Sequence, residues 1–144
     1  MELWQLSARE LVRETVHRYA HLVDRGAIEE LLELFAEDGT LEAGDLPPAR
    51  GRDAIRALLI GTGARLAAAA ERPLIRHHLS NLTIDVAGPE AATAACYFFV
   101  VTERGPDHWG RYRDRLIRAG ERWLFHHRRV RTDGYAPGSL FARR

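Results

Sequence analysis

A single cysteine among 144 residues leaves no partner for an intrachain disulfide. That residue, Cys96, lies in an apolar run and reads as a small core hydrophobe, which fits a reducing compartment. No apolar stretch approaches the roughly 20 residues needed to cross a bilayer, and the alanine-rich piece Ala67 to Ala70 is far too short. The opening MELWQLSARE turns polar and acidic too early for a signal peptide. Neither sign of charge dominates, because the formal net charge is +1, so the chain as a whole offers no electrostatic case for nucleic acid. Long linkers and internal repeats are missing too. These absences lead to the expectation of a cytoplasmic protein without a membrane or nucleic-acid partner.

What is present is an ordinary globular composition, 46% apolar and 28% charged, at the usual length of one domain. A chain this long buries roughly 68–70% of its extended surface, enough for a core with room for a cavity. The hydrophobic period changes midway along it. Ser7-Ala8-Arg9-Glu10 has the form of a capping box, and Val12, Val16, Tyr19 and Val23 follow at helical spacing up to Gly26. A short second helix is expected over Ala27 to Phe35, a strand around Thr40 to Ala43, and a third helix from about Asp53 to Ala70. From Leu74 onward the period is two. Leu82, Ile84 and Val86 alternate with polar residues, and Ala94 to Thr102 is apolar on both sides, as in a strand covered on both faces. Tyr112, Asp114 and Leu116 alternate with arginines, and Trp123 to Thr132 is the last long strand. Helices first and strands afterwards indicate an α+β fold. Residues 1–133 read as a single domain and 134–144 as a polar tail that is mobile or reaches a partner.

Several segments carry a resemblance in order: Tyr19 and Asp24 late in the first helix, Leu34-Phe35-Ala36-Glu37-Asp38-Gly39, Gly51-Arg52-Asp53-Ala54-Ile55, Arg76-His77-His78-Leu79-Ser80-Asn81, Gly110-Arg111-Tyr112-Arg113-Asp114-Arg115-Leu116, and Trp123-Leu124-Phe125. From about Leu6 to Arg131 the chain resembles the SnoaL-like branch of the nuclear-transport-factor-2-like superfamily, which includes scytalone dehydratase and bile-acid dehydratase. The resemblance implies a cone-shaped α+β barrel. Its N-terminal helices would pack on a strongly curved, mainly antiparallel sheet around a deep pocket. A homodimer through the outer sheet face is implied as well. In the dehydratase branch an aspartate after the first helix and a histidine on a long strand form an acid–base pair. Here these are Asp24 and His77.

Imidazole can take and return a proton at neutral pH, and a carboxylate on its other nitrogen fixes the tautomer. Asp24 and His77 are therefore the expected catalytic pair, with Tyr19 donating a hydrogen bond to a substrate carbonyl. Such a site needs no cofactor. Each residue also has a plainer reading: Asp24 as a turn residue, Tyr19 as core. Strict alternation puts His78, not His77, on the face of Leu82, Ile84 and Val86. A bulge would reconcile that with His77. Tyr97, Phe99, Trp109, Tyr112 and Asp114 are candidates for the concave, substrate-binding face. Asp114 is either a surface ion-pairing group or a second buried acid–base candidate.

His17, His21 and Asp24 share a helical face at metal-ligand spacing, but with no second cluster in the sequence they read as a solvated face, and no metal is expected. His126 and His127, adjacent on a strand, point to opposite faces and cannot chelate together. Arg111, Arg113 and Arg115 read as a solvated or dimer-facing surface. The expectation is a dehydratase, isomerase or cyclase for a hydrophobic, oxygenated ring substrate. The alternatives are a non-catalytic small-molecule-binding or assembly module, and a small subunit resembling the beta chain of ring-hydroxylating dioxygenases.

Overall fold

A computed structural model describes residues 1–69 and 73–142. Ala70, the expected end of the third helix, and residues 143–144 of the expected tail lie outside the described residues. Three helices, α1 (Leu3–Arg25), α2 (Ile28–Leu32) and α3 (Arg52–Ala69), accompany β1 (Phe35–Ala43), β2 (Ala49–Arg50), β3 (Ile75–Gly88), β4 (Ala91–Thr102), β5 (Gly105–Ala119) and β6 (Arg122–Tyr135). The strands form one curved, mixed sheet in the order β2-β1-β6-β5-β4-β3. All neighbours are antiparallel except the parallel pair β1 and β6. The sheet stays open, with β2 and β3 at its edges, so it is not a closed barrel.

Helix α1 buries Val12, Val16, Tyr19 and Leu22 against the sheet and ends at Gly26, whose φ of 65° is the left-handed cap. The helix begins earlier than the Ser7 box suggested. Glu2 and Gln5 form the capping box instead, so Ser7 is already inside the helix. Helix α2 is only five residues long, because its continuation from Phe35 pairs as strand with β6. The strand also begins earlier than the Thr40 start expected, so that Asp38-Gly39 falls within β1 at a register shift between Phe35 and Thr40. Strand β6 continues past Thr132 and pairs Tyr135 with His108. The tail therefore starts later than expected, and Ser139 is buried rather than mobile on the surface.

Strand β4 alternates rather than being covered on both faces. Ala92, Ala94, Cys96, Phe98 and Val100 are buried, whereas Tyr97 is 54% and Phe99 39% exposed. The apolar run was long enough to hide the alternation, since the outward positions carry rings and methyls too.

Two bulges decide which residues face inward. In β3, Ser80 faces Tyr97 and Thr83 faces Ala95, so three steps along β3 match two along β4. Asn81 sits in the break with φ 55°, a conformation that asparagine tolerates better than most residues. Ahead of the bulge Ile75, His77 and Leu79 face the core side; beyond it Leu82, Ile84 and Val86 do. In β6, Leu116 faces Phe125 and Arg115 faces His127. The inward set thereby changes from Trp123 and Phe125 to Arg128 and Val130.

At Gly110, between β4 and β6, there is no room for a side chain. A methyl there would lie 2.0 Å from the Arg131 carbonyl oxygen and 2.7 Å from the Phe98 ring. Gly110→Ala is therefore expected to destabilise the fold by about 2 kcal/mol or more, read as a fall in the midpoint of chemical denaturation. An unchanged midpoint would contradict this packing.

Candidate functional site

The start of β3 runs beside the C-terminal end of α1, and the two meet through Asp24. Its carboxylate accepts the backbone N–H of His77 at 3.0 and 3.2 Å. The same carboxylate takes Nδ1 of the His77 ring at 2.6 Å. The side chains are only 11% and 8% exposed. Because a carboxylate can only accept, Nδ1 carries the proton, and Nε2 is the nitrogen left for other work. The backbone contact matters as much as the ring contact, because it holds the carboxylate independently of the imidazole. His78, by contrast, is exposed on the other face, with its ring 6.5 Å from that of Phe99. The bulge at Asn81 thus places His77 and Leu82 on one side of the sheet.

Asp24 and His77 line a cavity of about 420 Å³ between helices and sheet. Most of its wall is apolar, with Leu22, Leu31, Leu58, Leu66 and Phe141 contributing. Tyr19 and Tyr112 line it as well. Burial pushes the Tyr19 hydroxyl above its ordinary range even though Arg128 beside it pulls the other way. Burial likewise pushes Tyr112 well up. Both hydroxyls therefore remain protonated and can donate hydrogen bonds at any ordinary pH. Tyr19 is also a core residue, edge-on to Phe35, Tyr112 and Phe125 with ring centres 6.2, 6.0 and 5.8 Å away. Its two readings are compatible.

Asp114 is inward but not available to a ligand. It holds Arg128 through two bonds of 2.8 Å, Nε to Oδ1 and Nη2 to Oδ2, and both side chains are fully buried. The guanidinium carbon lies 4.2, 4.0 and 4.3 Å from the ring centres of Tyr19, Tyr112 and Phe125. Only Nη1 lacks a hydrogen-bond partner among the described residues. This pair backs the cavity wall by clamping the two tyrosine rings. Loss of one partner from such a pair costs about 3–5 kcal/mol.

Tyr97, Phe99 and Trp109 do not line the cavity. They stand 54%, 39% and 39% exposed on the opposite face of the sheet. The even-numbered residues of β4 take the inward side, and in β5 Trp109 stands outward between buried His108 and Gly110. His17 and His21 are exposed on α1 while Asp24 turns to His77. The described residues contain no cluster that could hold a metal ion, and no described helix is long and apolar enough to cross a membrane.

A second Asp–His pair was missed from the sequence. Asp107 Oδ2 meets His108 Nδ1 at 2.7 Å and accepts the Ser139 hydroxyl at 2.7 Å, while Oδ1 accepts the Leu140 N–H at 2.8 Å. The Ser139 oxygen in turn accepts the N–H groups of Phe141 and Ala142. This clasp folds the C-terminal segment back and packs Phe141 against His108 in a tilted arrangement, ring centres 4.5 Å apart. Phe141 is thereby fixed in the cavity wall. The adjacent Asp107-His108 was the only available signal, and its partners lie some 30 residues on.

Burial tends to raise the Asp107 carboxyl, but the bonds from Ser139, Leu140 and His108 outweigh it and hold it below its ordinary range. Burial lowers His108, against the pull of Asp107. A depressed carboxylate contributes stability that is lost as pH falls through its folded value. A depressed histidine costs stability once pH drops below about 6.5, where the unfolded chain takes up the proton first. Both signs agree, so the clasp loosens in acid. Amide exchange at Leu140, corrected for intrinsic rates, is expected to lose protection progressively as the pH falls below about 6.5. Asp107→Asn should lower its protection roughly tenfold or more at neutral pH. Protection that is flat with pH and unaffected by the variant would refute the clasp.

Residues 4–129 match the family model described as a SnoaL-like domain. A provisionally assigned scytalone dehydratase from Novosphingobium aromaticivorans DSM 12444 superposes with a TM-score of 0.81 at 26% identity, over 94% of this chain and 91% of that one. An NTF2-like protein with a cystatin-like fold from the same species gives 0.77 at 32% identity, over 93% and 88%. A Catenulispora acidiphila protein solved in complex with S-DNPA gives 0.77 at 28% identity, over 89% and 95%. Among curated proteins none matches the sequence. The chain belongs to the SnoaL-like family, within the nuclear-transport-factor-2-like fold.

Proposed function

We propose that this protein is a cofactor-independent proton-transfer enzyme, a dehydratase, isomerase or cyclase, acting on a hydrophobic ring compound that carries a carbonyl and a hydroxyl group. The observation that supports this reading most is the 2.6 Å contact between Asp24 and His77 at the wall of an apolar cavity. The similar Novosphingobium protein assigned as a scytalone dehydratase adds weight to it. The cavity volume is within the range that holds a small ring system, and its apolar walls with a few polar groups suit such a ligand.

In this mechanism His77 Nε2 removes a proton next to the substrate carbonyl. Asp24 stabilises the imidazolium and keeps its ring in place. Tyr19, always protonated, donates to the carbonyl oxygen as negative charge develops there. The imidazolium then returns the proton, either to a departing hydroxyl, which leaves as water, or to another carbon of the ring. Elimination and isomerisation thus share a first step. The exposed ring cluster of His78, Tyr97, Phe99 and Trp109 on the outer sheet face supports a homodimer through that end of the sheet.

The shared first step can be tested without knowing the product. Wild-type protein in D2O is expected to exchange the α-protons of hydroxylated bicyclic ketones, followed by proton NMR. Asp24→Asn and His77→Ala should each slow that exchange about 10²- to 10⁴-fold while circular dichroism stays native. Full exchange in both variants rules out the pair. No exchange by the wild type across the panel, with the ketones still bound, would favour a non-catalytic binding module.

A further inference from the structure

The second bulge, in β6, turns Arg128 inward and leaves Arg129 and Arg131 outward. On the neighbouring strand Arg111, Arg113 and Arg115 also face outward. The register sets these side chains directly opposite one another, Arg111 against Arg131 and Arg113 against Arg129. Like charges directly opposite across strands destabilise a sheet. Here two such rungs are consecutive, about 7 Å apart by strand geometry. The four arginines alone line a depression of about 240 Å³. It shares Arg113 and Arg129 with a second hollow of about 460 Å³, whose lining includes Thr83, Asp85, Thr93, Ala95, Arg115 and His127, with Asp114 at its floor already neutralised by Arg128. Counter-charge is sparse. Asp133 pairs with Arg111 at 3.2 Å and Glu42 with His127 at 2.7 Å. Asp85 is exposed at the far side of the trough. Arg113, Arg129 and Arg131 have no ion pair among the described residues.

We infer that this trough on the outer sheet face is a binding site for an oligophosphate, a small molecule carrying a chain of phosphate groups. Guanidinium forks match phosphate oxygens in bidentate geometry. One phosphate spans a single rung, whereas a phosphate chain reaches both and relieves the repulsion in each. The threonine- and alanine-lined hollow beyond Arg113 leaves space for the organic part of such a molecule. A nucleic-acid strand fits less well. The exposed rings Tyr97, Phe99 and Trp109 flank only the Arg111 end, while Arg113 and Arg115 face Ala95 and Thr93, which offer no stacking surface. A second copy of the chain laid over this half of the face would set guanidinium groups against guanidinium groups. The site lies across the sheet from the Asp24–His77 cavity and does not depend on what that cavity does.

Titration calorimetry of the full chain with inorganic tripolyphosphate at moderate salt tests the inference. Tripolyphosphate is expected to bind at least about tenfold more tightly than orthophosphate. The double variant R113A/R129A, at exposed and half-exposed positions, should lose at least about tenfold in affinity. Arg18→Ala, on the exposed face of α1, should lose none, and ketone exchange should be unchanged in the double variant. Equal binding of the two phosphates, equal losses in R18A and R113A/R129A, or tighter binding of a single-stranded oligonucleotide than of tripolyphosphate would each overturn it.

Discussion

The arrangement of the site depends on one extra residue in β3. Backbone alternation has a strict period of two, so a strand cannot present His77 and Ile84 to the same side unless a step is inserted between them. Asn81, in the left-handed region, is that step. Without it, either His77 would face bulk water or the whole set of Leu82, Ile84 and Val86 would leave the core. The burial of three aliphatic side chains fixes one half of the strand. The doubly bonded Asp24 carboxylate fixes the other half. The bulge at Asn81 satisfies both.

A similar step in β6 has a different result. It turns an arginine into the core, where its charge must be met. Asp114 meets it with two short hydrogen bonds, and three aromatic faces cover the rest. Replacement of such a pair by apolar residues is often harmless to stability, so its effect is better sought in geometry. The guanidinium holds Tyr19 and Tyr112 at fixed distances beneath the cavity, and it does so with a planar, rigid group. The same step leaves Arg129 and Arg131 on the outside, so the inner clamp and the outer arginine rungs have one structural cause.

Much of this was legible in the sequence, and the failures have a common origin. Helical spacing located α1 and its Gly26 end, and the period-two segments located the four long strands. Alternation set Tyr112, Asp114 and Leu116 on one side of β5 and the arginines on the other, and it left open which side was inward for Asp114. What sequence could not reveal was where alternation breaks. Nothing about His126-His127 marks a bulge, so Arg128 gave no sign of being buried. The β4 run disguised Tyr97 and Phe99 as inward residues because an outward face bearing rings looks like a core face. Asp114 was left between a surface ion pair and a buried acid, because its pairing with Arg128 depends on a register between strands. The Asp107 clasp escaped for the same reason, since its donors come from a segment that composition alone presents as a free tail.

The family relationship fixes the architecture, and the chemistry rests on the site. Across the similar structures, identities of 26–32% leave most cavity residues free to differ. The Asp24–His77 contact is therefore the feature of this chain on which the chemistry turns. Histidine-ring ¹⁵N NMR of the wild type and of Asp24→Asn tests it directly. The wild-type His77 ring is expected to be protonated at Nδ1, with a hydrogen-bonded proton that exchanges slowly with water and disappears in the variant. A His77 ring whose Nδ1 proton exchanges freely, and whose spectrum is indifferent to Asp24→Asn, would contradict it.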